Sequence, residues 1–311
     1  MSTQDAWPGL FGLTAAARVA AGMSWPTNGV FVIAEAGSCA DGRLELAHEL
    51  VEVAKRIGAD AIKFQVWTDP AALAKRRHAE EYQHIYERYQ MPLHWLPLLS
   101  DHANRLGLEF MATVYLSEDI ALVAPFVKRF KIASFEAMDE EFKAAHRDYW
   151  KPAVVSVGMA DQGEIEALMG NWNVYFETVG SAMLHCVSAY PTPAFDANLG
   201  SIGWMRRFIT SRFGRGTMRP GFSDHLISLI SGAVAVGAGA EVVEFHLRLD
   251  ETPSDNPDFP HSRSPRDAMT YVANLRTAES MLGDGIKRAM PSEQAMLKYR
   301  VGGAVGIGID S

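Results

Sequence analysis

Short apolar runs alternate with helical periods along most of the chain. Eight runs of four to six residues have the near-continuous apolar character of strands that are buried on both faces. They are Phe31–Ala36, Ala61–Gln65, Glu109–Val114, Phe130–Ala133, Ala153–Val157, Ala182–Cys186, Pro220–Ser223 and Val242–Leu247. The runs begin about 30 residues apart on average, the length of one strand–helix unit. The pattern therefore predicts repeated βα units.

The segments between these runs carry apolar residues at helical spacing. In Leu44–Arg56, for example, Leu46, Leu50 and Val53 fall on one face. The Ala-Pro pair after Val123 predicts a short or broken third helix. Further helices are predicted at Leu93–Leu106, Glu140–Tyr149, Glu164–Met169, Ile202–Phe213, Leu226–Val236 and Arg266–Leu282.

Apolar strands that are separated by helices are typical of a parallel sheet. Eight such units favour a closed (β/α)8 TIM barrel over an open doubly wound sheet. No GxGxxG follows the first strand, and no GxxxxGK followed by Ser or Thr occurs, which weakens nucleotide-binding alternatives. We therefore predict an α/β fold with one TIM-barrel domain at 31–300, a short N-terminal extension at 1–30 and a C-terminal tail at 301–311.

Composition and charge exclude several protein classes. The 311 residues are 48% hydrophobic and 21% charged, which excludes wholesale disorder and fibrous structure. A net charge of −8 argues against a nucleic-acid or membrane-surface partner, although a pocket can still be locally basic. Two cysteines make no disulfide framework and fit a reducing compartment. No apolar run is long enough for a membrane span and no signal peptide is recognisable, so we expect a cytoplasmic location.

Charged and hydroxyl side chains recur where the predicted strands end, the place where TIM barrels carry their chemistry. The set is Glu35, Lys63, Gln65, Thr113, Tyr115, Lys131, Ser134, Glu136, Ser156, His185, Ser188, Ser223, Asp224, His225, Glu244 and His246. Buried charge is costly unless it is paired, so a purely structural barrel end has little use for these lysines and histidines. With one sign of charge facing one mouth, the set favours a functional site.

Two groups within this set suggest chemistry. His225 and His246 lie about one βα unit apart, so two imidazoles on adjacent strand ends could share a divalent metal. Two lysines and four hydroxyls would form an anion-binding group: Lys63, Lys131, Thr113, Ser134, Ser156 and Ser223. Together they predict a phosphorylated or carboxylated substrate that reacts at a metal-polarised carbonyl.

Eight motifs occur in an order that is itself recognisable. They are Ile33–Gly37, Gly58–Gln65, Lys131–Ser134, Ser156–Met159, Leu184–Cys186, Ser188–Pro193, Ser223–His225 and Glu244–His246. Over roughly residues 31–300 the chain resembles the sialic acid synthase (N-acetylneuraminate synthase) family. The resemblance implies a metal-dependent condensation of phosphoenolpyruvate with an open-chain aldose, such as N-acetylmannosamine or a relative. The products would be a 2-keto-3-deoxy sugar acid and phosphate.

The resemblance also implies roles for individual residues. Phosphoenolpyruvate would be held by Lys63, Thr113, Lys131, Ser134, Ser156, Ser188 and Ser223. The sugar would face Glu35, Gln65, Tyr190 and Asp258, the last in a loop whose usual glycine and histidine are replaced. His225 and His246 would bind the divalent ion, typically Mn²⁺, with Mg²⁺ or Co²⁺ as alternatives. The catalytic set would be Glu35, Lys63, Lys131 and Glu136. Glu136 would handle the attacking water or its proton, or would only form an ion pair that orients Lys131.

Two departures from the family pattern concern the acceptor end. The family usually reads Gly-Ile-Asn-His-Asn-Gly where Gly37–Gly42 reads Gly-Ser-Cys-Ala-Asp-Gly, so we expect an altered aldose subsite with Cys39 as a small filler. Family members usually carry a C-terminal antifreeze-like domain that covers the partner's active site in the dimer and brings an arginine to the sugar's N-acyl group. Residues 301–311 are too few to form that domain, so we expect a non-standard acceptor.

Two other segments could cover the barrel. Extension 1–30 would lie over the barrel bottom or a dimer surface. The segment after the second strand would be a substitute lid or an amphipathic surface helix; its polar and aromatic residues are Tyr82, His84, Tyr86, Arg88 and Tyr89.

Alternatives to the synthase remain open. One is a metal-dependent aldolase or lyase that acts on a related keto acid. Another is the barrel subunit of a split synthase, or a non-catalytic barrel, that works with a separate capping protein. The partners expected for the synthase are phosphoenolpyruvate, an aldose and a second copy in a homodimer.

Overall fold

Eight parallel strands close into a barrel in the part of the chain that the structure describes. The structure is a computed structural model that describes residues 25, 29–149, 151–179, 181–214, 216 and 218–302. The strands are β1 (Phe31–Glu35), β2 (Ala61–Val66), β3 (Glu109–Val114), β4 (Phe130–Ile132), β5 (Ala153–Ser156), β6 (Ser181–His185), β7 (Met218–Asp224) and β8 (Val242–His246). Each strand pairs with its neighbours in sequence, and β8 pairs with β1 to close the ring. The predicted TIM barrel is therefore confirmed. The ends of every predicted strand lie within about two residues of the observed ends.

Helices connect the strands on the outside of the barrel. They are α1 (Leu44–Arg56), α2 (Pro70–Arg76), α3 (Gln83–Arg88), α4 (Trp95–Arg105), α5 (Ile120–Val123), α6 (Glu140–Arg147), α7 (Gln162–Val179), α8 (Gly200–Phe213), α9 (Ser231–Gly237) and α10 (Pro265–Leu282). Short 3-10 helices lie at Glu80–Tyr82, Ser117–Asp119, Ala194–Asp196 and Pro291–Tyr299. No described helix combines the length and the apolar character that a membrane crossing requires.

Most predicted helices agree with the structure to within about two residues, but two differ by more at one end. The helix predicted at Glu164–Met169 is far longer, because Gly170 lies inside α7 and a single glycine costs only about 1 kcal/mol. The helix predicted at Leu226–Val236 begins five residues later, at Ser231. Its first part is a loop because the Leu226 N–H donates to Asp224 Oδ1 at 2.8 Å, which turns the chain at the end of β7.

The alternation of side chains along the strands explains where the site lies. On β1, Phe31 and Ile33 point into the barrel, whereas Val32 and Ala34 pack against the helix layer. Glu35 continues the inward row and so lies at its upper end. The same period brings Lys63 and Glu244 above the apolar interior. The barrel mouth is thus lined by the last inward residues of the strands.

The opposite end of the barrel is closed by Trp25. Its ring packs edge-on against Phe31, with ring centroids 5.1 Å apart. The guanidinium of Arg129 lies 4.1 Å and that of Arg219 lies 4.9 Å from the Trp25 ring. Trp25, which belongs to extension 1–30, thus packs against the bottom of the barrel. The rest of that extension, apart from Gly29 and Val30, and residues 303–311 of the tail lie outside the described residues.

Candidate active site

A cavity of about 220 Å³ opens at the carboxyl ends of the strands. Twelve of the fourteen predicted site residues line it: Glu35, Lys63, Gln65, Thr113, Lys131, Ser134, Ser156, Tyr190, Ser223, His225, His246 and Asp258. The wall also contains the charged residues Arg77 and Glu244, the aromatic residues Tyr115 and Phe135, and Cys186. Glu136 and Ser188 are not on the wall. A larger cavity, of about 700 Å³, lies beside α8 and β7, but it lacks this convergence of titratable groups.

Lys63 is held at the base of the cavity by two carboxylates and a hydroxyl. Its Nζ lies 2.5 Å from Glu35 Oε2 and 3.8 Å from Glu244 Oε2, and it donates to Thr113 Oγ1 at 2.9 Å. Burial alone would favour the neutral amine, but Glu244 and Glu35 raise the pKa of Lys63 above its ordinary value. Lys63 is therefore a fixed ammonium group.

Lys131 is the second buried cation. Its Nζ donates to Ser156 Oγ at 2.8 Å and to the Ile132 carbonyl at 3.2 Å, and lies 3.8 Å from Glu244 Oε1. Burial lowers the pKa of Lys131, and Glu244 offsets this only in part. Because this amine has fewer close anionic partners than Lys63, an incoming anion would gain most from contact with it.

Glu244 lies between the two lysines and also accepts a hydrogen bond from Ser223 Oγ at 3.1 Å. Although burial opposes ionisation, Lys131 and Lys63 lower the pKa of Glu244. The expectation that one sign of charge faces the mouth was wrong. Buried lysines need compensation, and Glu35 and Glu244 supply it.

A compact pocket of small polar groups adjoins Lys131. The Gly158 N–H donates to Ser134 Oγ at 3.0 Å, and Cys186 Sγ lies 3.0 Å from the same hydroxyl. A Cβ atom on Gly158 would lie 2.6 Å from Ser188 Oγ, so only glycine fits there. Ser188 Oγ is buried and has no hydrogen-bond partner among the described residues. It is thus available to an oxygen-rich ligand, although Ser188 lies just behind the wall.

The proposed acceptor side is organised by Glu35, Gln65 and Tyr190. Gln65 Nε2 donates to Glu35 Oε1 at 2.8 Å, which fixes that carboxylate opposite its contact with Lys63. Tyr190 follows β6, and its ring packs at a tilt of 41° against the His225 ring, with the ring centroids 4.3 Å apart. Its side chain remains 46% exposed and therefore stands at the rim of the mouth.

The loop that departs from the family pattern packs against Asp258. Ser38 donates to Asp258 Oδ2 through its backbone N–H at 2.7 Å and its Oγ at 2.5 Å. Gly37 has a φ of +51°, and a Cβ atom there would lie 2.5 Å from the same carboxylate oxygen. Cys39 is fully buried, and burial, followed by Asp258, raises the pKa of its thiol well above the ordinary value. A filler role for Cys39 follows from this burial.

Three imidazoles form what we call the histidine cluster: His225, His246 and His261. His246 Nδ1 and His261 Nε2 each lie 3.0 Å from Asp258 Oδ1. The rings of His225 and His246 are 5.3 Å apart. His246, Asp258 and His261 offer ligand atoms that all lie within 4.8 Å of one another. Sequence reasoning paired His225 with His246 and missed His261, although the Asp-x-x-His spacing in this loop was a usable signal.

The donor chemistry of the histidine cluster fits a divalent ion. His225 Nδ1 lies 2.9 Å from the Val187 carbonyl, and a ring N–H donated there leaves Nε2 as a lone-pair donor. Burial, and next His246, lowers the pKa of His225 to about 3, which keeps that ring neutral. Neutral imidazoles beside a carboxylate form the donor set that many divalent transition metals prefer.

The ion pair of Glu136 differs from the one that the second sequence-based alternative predicted. Both Nε and Nη2 of Arg77 donate to Glu136 Oε1, at 3.1 and 2.7 Å. Its ion-pair partner is thus Arg77 and not Lys131. Burial raises the pKa of Glu136, while Arg77 opposes this rise. Because Arg77 lines the cavity and Glu136 does not, the guanidinium stands between this carboxylate and the cavity.

Two strand-end residues of the initial set belong to the scaffold. His185 points outward from β6, and its Nε2 lies 2.8 Å from the Ala197 carbonyl. Asp224 accepts from Arg263, Ser231 and Tyr271 in a buried network outside the barrel. Both residues lie one position out of phase with the inward row, which explains why they miss the cavity.

The segment after β2 contains α2 and α3, and the residues from Tyr82 to Tyr89 that were expected to form a lid or a surface helix lie in and around α3. Asp69 caps α2, and Arg88 at the end of α3 lies 3.3 Å from Asp255 and 3.8 Å from Asp41. The Trp67 indole N–H donates to the Tyr86 carbonyl at 2.9 Å and anchors the segment to the end of β2. The segment therefore links the end of β2 to the loops that carry Asp41 and Asp255.

Comparison with known proteins agrees with this geometry. The NeuB family profile matches residues 50–287. An N,N'-diacetyllegionaminic acid synthase from Legionella pneumophila is 33% identical over 85% of this chain and 76% of its own length. A pseudaminic acid synthase from Campylobacter jejuni is 32% identical over 88% of this chain and 79% of its own length.

A similar relation holds for a solved structure. The N-acetylneuraminic acid (sialic acid) synthetase from Leptospira borgpetersenii, in complex with citrate, superimposes with a TM-score of 0.78 at 28% identity. The match covers 88% of this chain and 92% of that one. With the family profile, the relatives and the barrel in agreement, the chain belongs to the NeuB family and is a sialic acid synthase-like enzyme.

Proposed function

We propose that the protein condenses phosphoenolpyruvate with an open-chain aldose to give a 2-keto-3-deoxy sugar acid and phosphate. The observation that carries this proposal is the pair of buried lysines with four hydroxyls in one cavity beside the histidine cluster. The first group suits a small dianion and the second suits a metal-bound carbonyl. The similarity to a legionaminic acid synthase and a pseudaminic acid synthase supports the same reaction class.

Phosphoenolpyruvate, the donor of the three-carbon unit, would lie over Lys63 and Lys131. Their ammonium groups supply charge, and Thr113, Ser134, Ser156, Ser188 and Ser223 supply hydroxyls for its phosphate and carboxylate oxygens. The unpartnered Ser188 Oγ is a ready site for one such oxygen. The lysines are already fixed by hydrogen bonds, so little reorganisation is needed when the anion binds.

His225 and His246, with Asp258, would hold a divalent ion, for which Mn²⁺ is our first choice and Mg²⁺ or Co²⁺ are alternatives. Such an ion supplies Lewis-acid polarisation of the aldehyde oxygen when it is bound. Among the protein groups, Glu35 and Gln65 would orient the acceptor hydroxyls, while Tyr190 and Asp258 would border its path.

The reaction balances with water as the one further reactant, because one of its protons ends on the former aldehyde oxygen and the other leaves with the phosphate. C3 of phosphoenolpyruvate attacks the aldehyde carbon, and the new carbon–carbon bond leaves positive character at C2. Water adds at C2, and the C2–O bond to phosphate breaks. Lys63 and Lys131 would stabilise the anionic oxygens throughout. Glu35 touches Lys63 and faces the cavity, so it is placed to accept a proton; Glu136 would act on the water only through a movement of Arg77.

We also propose that the mouth is covered in the assembled enzyme. Ile227, Leu229 and Ile230 form an apolar rim after β7, and Ile227 is 76% exposed. A homodimer is our first proposal, and a separate capping protein is the alternative. Light scattering of the purified protein distinguishes a dimer from a monomer. We place the enzyme in the cytoplasm, where its two buried free cysteines would stay reduced.

Phosphate release tests the reaction. The metal-loaded protein should release phosphate from phosphoenolpyruvate only when an aldose is added, and mass spectrometry should find a product three carbons longer. Absence of release across a broad aldose panel would contradict the proposal. Consumption of pyruvate, with no need for phosphoenolpyruvate, would favour the aldolase alternative instead.

A further inference from the structure

Arg77 is a third cation on the cavity wall. It follows α2 directly, and its side chain is 19% exposed, compared with 4% for Lys63 and 3% for Lys131. The two lysines therefore belong to the base of the cavity, and Arg77 belongs to its upper part. The motifs that carry the family resemblance do not include it.

The guanidinium of Arg77 is held rigidly by its surroundings. It lies 4.6 Å from the centre of the Tyr115 ring and 5.0 Å from that of Phe135. Its two bonds to Glu136 use two of about five N–H donors on the guanidinium, so other donors remain even with a further contact to the Tyr86 side chain. Glu136, only 2% exposed, is hidden behind this cation. The pair thus shows its positive member to the cavity and buries its negative member.

The position of Arg77 relative to the histidine cluster is set by the barrel. Tyr115 follows β3 and Glu136 follows β4, whereas His225 follows β7 and His246 ends β8. In a closed ring of eight strands in sequence order, these two strand pairs lie on opposite sides. An aldose whose aldehyde lies at the histidine cluster would extend its far end across the mouth toward Arg77.

We infer that Arg77 binds an anionic group, phosphate or carboxylate, which the acceptor carries at the end remote from its aldehyde. The inference rests on the proposed function and makes it more specific. A rigid, partly desolvated guanidinium with unused donors matches a terminal phosphate or carboxylate in geometry and charge. A neutral hydroxyl could accept a hydrogen bond from the same donors but would not gain the charge-assisted part of the contact.

Calorimetry with sugars of one configuration tests the inference. Mannose, mannose 6-phosphate and mannuronate are titrated separately into the metal-loaded protein, and phosphoenolpyruvate is titrated in parallel. At least one of the two anionic sugars should bind about 10- to 100-fold more tightly than mannose, the range of a charge-assisted contact. The comparison between phosphate and carboxylate identifies which anion the site takes.

Three variants separate the role of Arg77 from a general loss of structure. Arg77→Gln should abolish the preference for the anionic sugar and leave the affinity for phosphoenolpyruvate unchanged. Arg77→Gln with Glu136→Gln should do the same without leaving a buried carboxylate unpaired. Arg76→Gln is the matched control, because Arg76 also pairs with an acid, Asp139, and lies over a ring, Phe142, but does not line the cavity.

Several results would overturn the inference. They are equal binding of all three sugars, no binding of any, a preference that survives in both Arg77 variants, and a loss that also occurs in Arg76→Gln. A comparable loss of phosphoenolpyruvate affinity in Arg77→Gln would assign the cation to the donor phosphate instead. The proposed function has its own readout, since phosphate release with mannose or another neutral aldose would uphold it even where the anion preference is absent.

Discussion

Individual charges in the cavity depend on partners that one substitution removes. Lys63, Glu244 and Lys131 form a continuous row in which the carboxylate lies 3.8 Å from each ammonium group. Removal of either lysine leaves the negative charge of Glu244 only partly balanced. It also removes one of the two lysine charges at the base of the cavity. Ligand binding should therefore be more sensitive to these residues than the fold is.

Lys131→Met should weaken phosphoenolpyruvate binding by about 100-fold, because one charge-assisted contact is lost and Glu244 then repels the anion. Isothermal titration calorimetry measures the change. Lys75→Met, at an exposed position of α2, is the matched control and should bind normally. Equal affinities in Lys131→Met and wild type would remove Lys131 from the donor site.

Metal binding should depend most on His246, which lies 3.0 Å from Asp258 Oδ1 and faces both other imidazoles. His246→Ala should lower Mn²⁺ affinity at least 10- to 100-fold without unfolding the barrel. Metal analysis after gel filtration, with circular dichroism on the same sample, measures both effects. His261→Ala shows whether the third imidazole is a ligand, and His48→Ala, on α1, is the control. Full metal content in His246→Ala would contradict the assignment.

Because His146 is buried and its pKa is lowered, we expect the protein to lose stability in acid. His146 is fully buried on α6 against Phe130 and Phe142, and burial lowers its pKa from 6.5 to about 4. Between pH 6.5 and 4, His146 is therefore protonated in the unfolded chain but remains neutral in the folded chain. This contribution to stability is intact above pH 6.5 and is lost progressively as the pH falls to 4, by about 3 kcal/mol. In urea unfolding, His146→Leu should lose stability less steeply over this range; an unchanged pH slope would rule out the mechanism.

The residues of the site that follow from strand periodicity were predictable, and those supplied by other elements were not. Glu35 and His246 end their strands and Lys63 lies inside β2, and the inward rows of all three strands can be counted from the sequence. Arg77 follows a helix and His261 lies in a loop, where no period marks direction. Charge pairing was also out of reach, because Glu244 contacts the lysines of β2 and β4 only across the closed barrel.

At the scale of elements, strand positions were predicted well because apolar runs of strand length are bounded by turns. Helix bounds were less accurate. A hydrophobic period does not say where a helix stops, as Gly170 inside α7 shows. The helices α2 and α3 are too short for a period to be visible, and the Asp69-Pro70 pair, at which α2 begins, was a usable signal that the prediction did not include.

Gly221 is the element-scale test of strand packing. A Cβ atom there would lie 2.3 Å from Leu184 Cδ2 and 2.5 Å from the Val242 carbonyl oxygen. Gly221→Ala must therefore push β7 away from β6 or β8 and should destabilise the protein by about 1–3 kcal/mol. Gly170→Ala has open space and should be neutral or slightly stabilising. Thermal melts of both variants measure the difference, and equal melting temperatures would contradict the packing described.

At the scale of the whole molecule, the two ends of the barrel have separate tasks. The mouth holds the reactive groups, and the bottom is closed by Trp25 over Phe31 and Arg129. Trp25→Ala should lower stability by about 2 kcal/mol, since it uncovers apolar surface and a buried guanidinium. It should leave the KM for phosphoenolpyruvate unchanged. Denaturant unfolding and steady-state kinetics measure the two effects, and a raised KM with normal stability would contradict this division.

The seam between the first and last strands has a consequence for how the enzyme is made. Glu35 and His246 are register partners across that seam, although they are roughly 210 positions apart in sequence. The ribosome has therefore synthesised most of the chain before Glu35 and His246 can become neighbours. A chain in which β8 has not yet paired with β1 lacks Glu244 and His246 at the mouth, so the site is complete only once the barrel has closed.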